Sequence, residues 1–270
     1  MNEFGRSGDH DRSHGPQGLW SADVSERAAI VTGSASGIGR AVVDRFVADG
    51  WQVLGVDLEQ PDLEGAEGLG ADLTTREGNR AAVDTALERF GRIDLVVPNA
   101  GFQHVAPVEE FPEDRWDALL AILLTSPFLL AKYSWEALRV APEGGRFIPI
   151  ASAHALAASP YKAGYVSAKH GVLGLVRTLA LEGATDGITA AAVCPGYVRT
   201  PLVEKQIADQ AKAHGISEDR VVEEVILTPH ARKALIEPSD VADVVAFLTT
   251  PAGRTFTGAP VTMDMGWTAR

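Results

Sequence analysis

The sequence predicts an α/β protein: a doubly wound parallel sheet, seven strands wide, with helices on both faces. Two observations carry this expectation. From Arg27 onward, short β-rich runs alternate with longer helical stretches, the pattern of strand–helix–strand units joined by right-handed crossovers. A glycine-rich turn, TGSASGIG at Thr32–Gly39, follows the first run directly. No period of about 20–50 residues recurs, so a repeat solenoid is not expected.

In chain order, Met1 to about Ala22 is polar, glycine-rich and aperiodic, which predicts a disordered extension ahead of a single domain at residues 23–270. Ala28–Val31 reads as the first strand and Gly37–Asp49 as the helix after the turn. Gln52–Val56 is the second strand, with Asp57 at its end, and Leu69–Ala71 the third. A helix at Thr75–Phe90 leads to strand Ile93–Val97, which ends in PNAG. The apolar stretch Pro112–Arg139 reads as one helix, bent where Pro127 removes a backbone donor. Strand Arg146–Ile150 precedes the helix that carries Tyr165 and Lys169. Ile188–Val193, helix Ser239–Leu248 and strand Pro260–Met263 complete the alternation. Thr200–Glu237 interrupts it; long, charged and helical in pattern, this segment reads as a small lid beside an active site.

Composition narrows the function class. Hydrophobic residues at 46% and charged ones at 22% are ordinary for a globular protein. A formal charge of −12 argues against nucleic acid or an anionic membrane as the main partner, since both require basic surface. Cys194 is the only cysteine, which excludes an intrachain disulfide and suits a reducing cytoplasm. Its apolar surroundings predict a buried thiol. The apolar run Ala118–Ala131, broken by Thr125, Ser126 and Pro127, falls short of the roughly 20 residues of a membrane span. The N-terminus has no apolar signal core. A cytoplasmic location follows, and no metal constellation forms around His10 or His14.

Gly33, Gly37 and Gly39, with Ser36 and Ile38 beside them, combine GxxxGxG spacing with a strand before and a helix after. Glycine permits the tight turn and close backbone approach, and the helix start offers free N–H groups to a pyrophosphate. The context is Rossmann-like. Asp57 lies eighteen residues beyond Gly39, where a carboxylate accepts the ribose hydroxyls of NAD and repels the extra phosphate of NADP. Arg40, after the last glycine, is the one cation placed to offset that repulsion. Asp72 and Leu73 end the third strand, where a side chain meets the adenine amino group. Asn99, Ala100 and Gly101 form a turn at the end of the fourth, with cofactor contact and structural roles together.

Tyr165 and Lys169 stand four apart in YVSAK, hence on one helix face, and Ser152 lies thirteen residues upstream at a strand end. A free tyrosine, with pKa about 10, is a poor base near neutrality. An ammonium beside it, together with an oxidised nicotinamide, favours the phenolate. Ser152 then holds the substrate oxygen while Tyr165 exchanges its proton.

With TGSASGIG, NAG, Ser152, YVSAK and PGYVRT in order, the chain resembles the short-chain dehydrogenase/reductase family from about Arg27 to the C-terminus. The resemblance implies that Lys169 also holds the nicotinamide ribose. It implies that Pro195, Gly196, Val198 and Thr200 of PGYVRT line the cofactor site, and that the protein is a homotetramer. Two departures stand out: Pro98 replaces the first residue of the usual NNAG, and Leu123 occupies the place of an Asn that supports a relay water.

Gln103, His154, Lys162 and Gln206 are amides, an imidazole and an ammonium placed to converge on the Ser152–Tyr165 pair as a carboxylate receptor. Each alone also fits a surface or satisfied side chain. The segments GFQHVAPVEEFP, CPGYVRTPLVEKQI and the terminal GWTAR resemble family members that oxidise (R)-3-hydroxybutyrate to acetoacetate with NAD, and that resemblance assigns the four to the substrate carboxylate. Other readings are a family member acting on a different alcohol and a non-catalytic NAD(H)-sensing protein.

Overall fold

β1 (Ala28–Thr32) and β2 (Gln52–Asp57) are parallel and in register, and β1 pairs on its other side with β4 (Leu95–Val97). The computed structural model describes residues 27–201, 203, 204, 207, 211 and 216–269. The expected N-terminal extension and Gln206 lie outside the described residues. β3 (Glu67–Gly70) forms one edge, and β5 (Arg146–Phe147) and β6 (Thr189–Ala190) continue the other side, giving the order β3-β2-β1-β4-β5-β6. β7 (Ala192–Pro195) and β8 (Pro260–Met263) pair as a further parallel ribbon.

The side-chain period of a strand sorts the core into two layers. Ile30, Leu54, Val56 and Val96 point to one face, where α2 (Arg76–Phe90) and α5 (Ala163–Glu182) pack. Ala29, Val31, Val53, Leu95 and Val97 point to the other, against α1 (Gly37–Ala48) and α6 (Pro238–Thr249). Burial on both faces explains why these strands read as continuous apolar runs.

Three expected elements differ in detail. The predicted strand Arg146–Ile150 has full two-way pairing only at Arg146–Phe147, because Pro98 and Pro149 lack the N–H groups that would complete it; Ile148 and Ile150 N–H still reach the Val96 and Pro98 carbonyls at 2.9 and 2.8 Å. The predicted sixth strand is divided at Ala191 into β6 and β7. Pairing nonetheless carries across the break, through Ala191 N–H to the Phe147 carbonyl at 3.2 Å and Val193 N–H to that of Pro149 at 3.1 Å. A bridge between Ile150 and Val193 joins the ribbon to the main sheet, so the seven expected strand positions are built from eight segments. β3 begins two residues before the predicted Leu69. Gly68 and Gly70 bring it so close to Pro61 and Gln60 that a Cβ there would lie 2.4 and 2.9 Å from their backbones. A strand made of glycine for close approach carries little β signal.

The predicted long helix is continuous but contains a π-turn. α3 (Glu113–Leu120) passes through Ala121–Thr125, where the Ser126 N–H bonds the Ala121 carbonyl, into α4 (Ser126–Arg139). Pro127 has no N–H to give the carbonyl of Leu123, and the widened turn takes up the expected bend. At 27 residues, Glu113–Arg139 is long and apolar enough to span a bilayer, more than the broken run Ala118–Ala131 suggested. Half of its most apolar stretch is buried, with α4 against α2 and α3 against α5, as in a core helix.

Beyond β7, the described residues Pro201, Val203, Glu204, Ile207 and Ala211 are helical, and a helical turn at Glu218–Val221 follows. Val203, Ile207, Val221, Ile226 and Leu227 form a third apolar cluster, separate from the two sheet layers. A bridge between Val198 and Ile236 closes the excursion at its base.

Candidate active site

All the groups singled out by motif lie past the carboxyl ends of parallel strands, where an open α/β sheet places its ligands. The glycine turn leaves β1, Asp57 ends β2, Asn99 follows β4, Ser152 follows β5, and Pro195 ends β7. They line a cleft of about 320 Å³.

Gly33 and Gly37 have φ of +68° and +56°, a region L side chains avoid. A Cβ on Gly39 would lie 2.0 Å from the Gly33 carbonyl oxygen, so the start of α1 is pressed directly onto the turn. Side chains lock the arrangement. Thr32 Oγ1 accepts the N–H groups of Asn99 and Ala100 at 2.9 and 3.0 Å, and Asn99 Nδ2 donates to the Thr32 carbonyl at 2.9 Å. Asp57 Oδ2 accepts the Ala35 N–H at 2.9 Å, fixing the carboxylate beside the turn. Gly33, Ser36, Gly37, Ile38, Asp57, Asn99, Ala100 and Gly101 line the cleft, as do Pro195, Gly196, Val198 and Thr200. Gly39 supports it from behind.

A positive-φ glycine cradle at a helix start, facing a carboxylate at the next strand end, fits a dinucleotide. Arg40 is occupied elsewhere, donating to Asp44 at 2.8 Å and to the Asp62 carbonyl at 3.1 Å. Asp72 and Leu73 are not among the residues lining the cleft. Asp72 shapes the turn into α2 by accepting from Thr74, and Leu73 is buried in the core.

Ser152, Tyr165 and Lys169 meet at the floor of the cleft. The Ser152 hydroxyl favours the ionised form of the Tyr165 phenol, and its Oγ accepts the His154 N–H at 3.1 Å. The Lys169 ammonium lies 5.6 Å from the Tyr165 ring centroid and donates to the Ile150 carbonyl at 2.7 Å. Burial dominates their protonation: it pushes Tyr165 up to about 12 and Lys169 down to about 8. The expected lowering of the Tyr165 pKa is therefore not a property of the protein alone. Desolvation of the phenolate outweighs the influence of the Ser152 hydroxyl, which acts in the opposite direction. Leu123 is buried and lines the same cleft, its Cδ2 against Gly101. Cys194 is buried and free, its thiol pushed up to about 11 by burial, as the sequence implied.

None of His154, Gln103 and Lys162 is among the residues lining the cleft; His154 adjoins it through Ser152 and Tyr165. His154 is buried, with Nδ1 3.3 Å from Ser152 Oγ and Nε2 3.0 Å from Ser159 Oγ. Burial, assisted by the charges of Lys162 and His170, pushes this imidazole down to about 3, so it is neutral and both nitrogens are engaged. Gln103 has its Nε2 buried with no hydrogen-bond partner. Lys162 donates to the Tyr197 hydroxyl at 3.2 Å.

Sequence reasoning missed an aromatic enclosure on this side. Tyr197 stacks on Trp267 with centroids 5.8 Å apart, and Trp267 meets the His154 ring edge-on at 4.9 Å. His230 packs against both Tyr197 and Trp267. Residues so far apart in sequence leave no shared periodicity. The available signals were Tyr197 inside PGYVRT and a tryptophan in a polar C-terminal tail. Thr32, which ties the two cofactor turns together, had only its position before the first glycine to mark it.

A family model described as enoyl-(acyl carrier protein) reductase, one of the short-chain dehydrogenase models, matches residues 33–268. The chain belongs to the short-chain dehydrogenase/reductase family. Among its relatives, D-beta-hydroxybutyrate dehydrogenase of Rhizobium meliloti is 40% identical over 258 residues, covering 90% of this chain and 99% of that protein. The enzyme of the same name from Cupriavidus necator is 37% identical, covering 92% and 100%. Aldohexose dehydrogenase of Thermoplasma acidophilum, solved without ligand, superposes with a TM-score of 0.85 at 27% identity over 92% of this chain and 96% of that one. Oxidoreductase chemistry on a small molecule with a nicotinamide cofactor follows from family and fold together.

Proposed function

We propose that this short-chain dehydrogenase catalyses the reversible, NAD-dependent oxidation of (R)-3-hydroxybutyrate to acetoacetate. One observation carries the choice of substrate: the Gln103 Nε2, one residue beyond Phe102 of the cleft lining, is buried with no hydrogen-bond partner. A buried N–H without a partner costs about 1–3 kcal/mol, so the position suits an acceptor that arrives with the substrate. A carboxylate answers that need. Lys162, held by Tyr197, supplies the charge, and Gln103 with Gln206 supplies directed hydrogen bonds. His154 is neutral and holds Ser152. The relatives named for D-beta-hydroxybutyrate support the same choice.

Ser152 Oγ donates to the substrate oxygen, and Tyr165 takes the hydroxyl proton in oxidation or returns it in reduction. An oxidised nicotinamide bound here would supply the hydride acceptor and a positive charge that favours the Tyr165 phenolate. Lys169 positions the cofactor ribose and adds its own charge. Asp57 receives the adenosine ribose hydroxyls, and with Arg40 committed to Asp44 nothing beside it favours the phosphate of NADP. Asp72 and Leu73 border the adenine end. Residues 200–237 close over the substrate as a lid. We further propose a homotetramer in the cytoplasm, the latter in keeping with a free, buried Cys194.

The test is NADH formation from NAD with (R)-3-hydroxybutyrate, beside the (S) enantiomer and 2-butanol. R-selective turnover that requires the carboxylate is expected. Equal or faster turnover of 2-butanol would sink the carboxylate receptor and favour a neutral alcohol, as the likeness to an aldohexose dehydrogenase would suggest.

A further inference from the structure

Lys162 is fixed at both ends. Its backbone immediately precedes α5, and Tyr161 before it takes a φ of +67°, with its carbonyl accepting the Ala106 N–H at 3.0 Å. The segment that carries Gln103 is thereby tied to the one that carries Lys162. At the other end, the ammonium donates to the Tyr197 hydroxyl at 3.2 Å and lies 5.4 Å from the ring centroid, so it meets the phenol at its oxygen rather than over its face. Among the described residues no carboxylate pairs with this ammonium. Its charge reaches the site: Lys162 assists burial in pushing the His154 imidazole down to about 3, and that ring adjoins Ser152 and Tyr165. Tyr197 is itself held still. It stands between Gly196 and Val198, which line the cleft, while its own ring stacks on Trp267 with planes 2° apart and its carbonyl accepts the Ile236 N–H at 3.0 Å. Trp267 is set in turn by Asp264, whose carboxylate accepts the N–H groups of Gly266 and Thr268 at 3.0 and 2.8 Å.

We propose that the Tyr197 hydroxyl is the positioning group for Lys162: a neutral anchor that orients the ammonium for the substrate carboxylate without cancelling its charge. This rests on the hydroxy-acid reading above. A carboxylate in the place of the phenol would hold the lysine more firmly, but it would also cancel the field that attracts the substrate. An ammonium has three N–H groups, and the phenol takes one, leaving two and the full positive charge for an incoming anion. In a protein of formal charge −12, a locally uncompensated cation is what an anionic substrate requires. Fixing the flexible lysine stem in advance also removes an ordering cost from binding.

Tyr197→Phe keeps the ring and removes only the oxygen. KM for (R)-3-hydroxybutyrate should rise about fivefold with kcat little changed, the effect of one hydrogen bond on binding. In a Lys162→Met background the same substitution should alter KM by no more than about twofold, because the group it positions is gone. Tyr197→Glu and Tyr197→Gln both give up the stack and both offer an acceptor, so the pair differs in charge alone. Glu should raise KM about tenfold above Gln, since it neutralises the ammonium and repels the substrate. An unchanged KM in Tyr197→Phe, an equal rise with and without Lys162, or a Glu variant that binds hydroxy acid as well as the Gln variant would overturn the neutral anchor.

Carbon NMR of protein labelled at tyrosine Cζ reads the same contact without substrate. The Tyr197 resonance, identified by its loss in Tyr197→Phe, should shift in Lys162→Met. A resonance indifferent to Lys162 overturns the anchor and leaves the hydroxy-acid reading standing. Wild-type protein inert toward every hydroxy acid would instead remove that reading, with the NMR result still deciding whether Tyr197 holds the ammonium.

Discussion

The two halves of the cleft are built on different principles. On the cofactor side, recognition belongs to the main chain. Positive-φ glycines shape it, Thr32 and Asn99 tie two turns together, and Asp57 holds a backbone N–H of the turn. On the side proposed for the substrate, side chains from segments far apart come together: His154, Lys162, Tyr197 and Trp267 meet through ring contacts and single hydrogen bonds, and the Gln103 Nε2 is left without a partner. A backbone cradle tolerates few residues at each position, whereas a side-chain pocket can be rebuilt one substitution at a time. That difference is how one fold serves many alcohols.

The sharpest way to break the comparison is at the point where the halves meet. Tyr165→Phe should lower turnover by about 10³-fold or more while cofactor binding, followed by NADH fluorescence, is retained. In the wild-type enzyme, a phenol raised to about 12 in the free protein stays protonated across neutral pH. Reduction, which uses the protonated form, should be nearly flat from pH 6 to 8. Oxidation, which needs the phenolate, should rise with pH; an oxidation rate that falls over this range would contradict the assignment.

Next in size are the changes confined to the cofactor half. Gly39→Ala puts a methyl 2.0 Å from the Gly33 carbonyl oxygen, and that backbone contact cannot yield cheaply. Loss of cofactor binding and a lower unfolding temperature should appear together. Asp57→Ala leaves the turn without its anchor and removes the charge opposed to a phosphate. NAD affinity should fall by roughly tenfold to a hundredfold, the equivalent of about 1.4–2.8 kcal/mol, and NADP should gain relative to NAD.

The smallest effect belongs to the substrate half. Gln103→Ala should raise KM for the hydroxy acid about tenfold, the worth of one hydrogen bond to a charged group, with kcat and cofactor affinity little changed. If Gln103→Ala instead weakened NAD binding, the division of the cleft would be wrong.

The same division explains what the sequence disclosed. Gly33, Asp57, Ser152, Tyr165 and Lys169 were legible because backbone geometry and helical spacing impose fixed intervals on them. The alternation of strands and helices was legible for the same reason. β5 was overextended because Pro98 and Pro149 act on hydrogen bonding without changing apolarity, and β3 was misplaced because Gly68 and Gly70 serve close packing. Trp267 and Tyr197 stayed hidden because their partnership is created only by the fold. The lowering of the Tyr165 pKa was expected from charge alone, and the cost of removing phenolate from water proved larger.

The π-turn at Ala121–Thr125 makes the long helix an arithmetic problem in phase. One surplus residue in a helix turns everything after it by about 100°. Leu129, Leu130 and Leu138 reach the core on the far side of that surplus, and Leu119 reaches it on the near side. Deleting a single residue between Ala121 and Thr125 would leave composition and apolarity almost untouched. It would bring two correct halves together out of step, rotating the leucines of α4 away from α2. An insertion elsewhere in the helix would be needed to bring them back, so the widened turn and the placing of the downstream leucines can change only together.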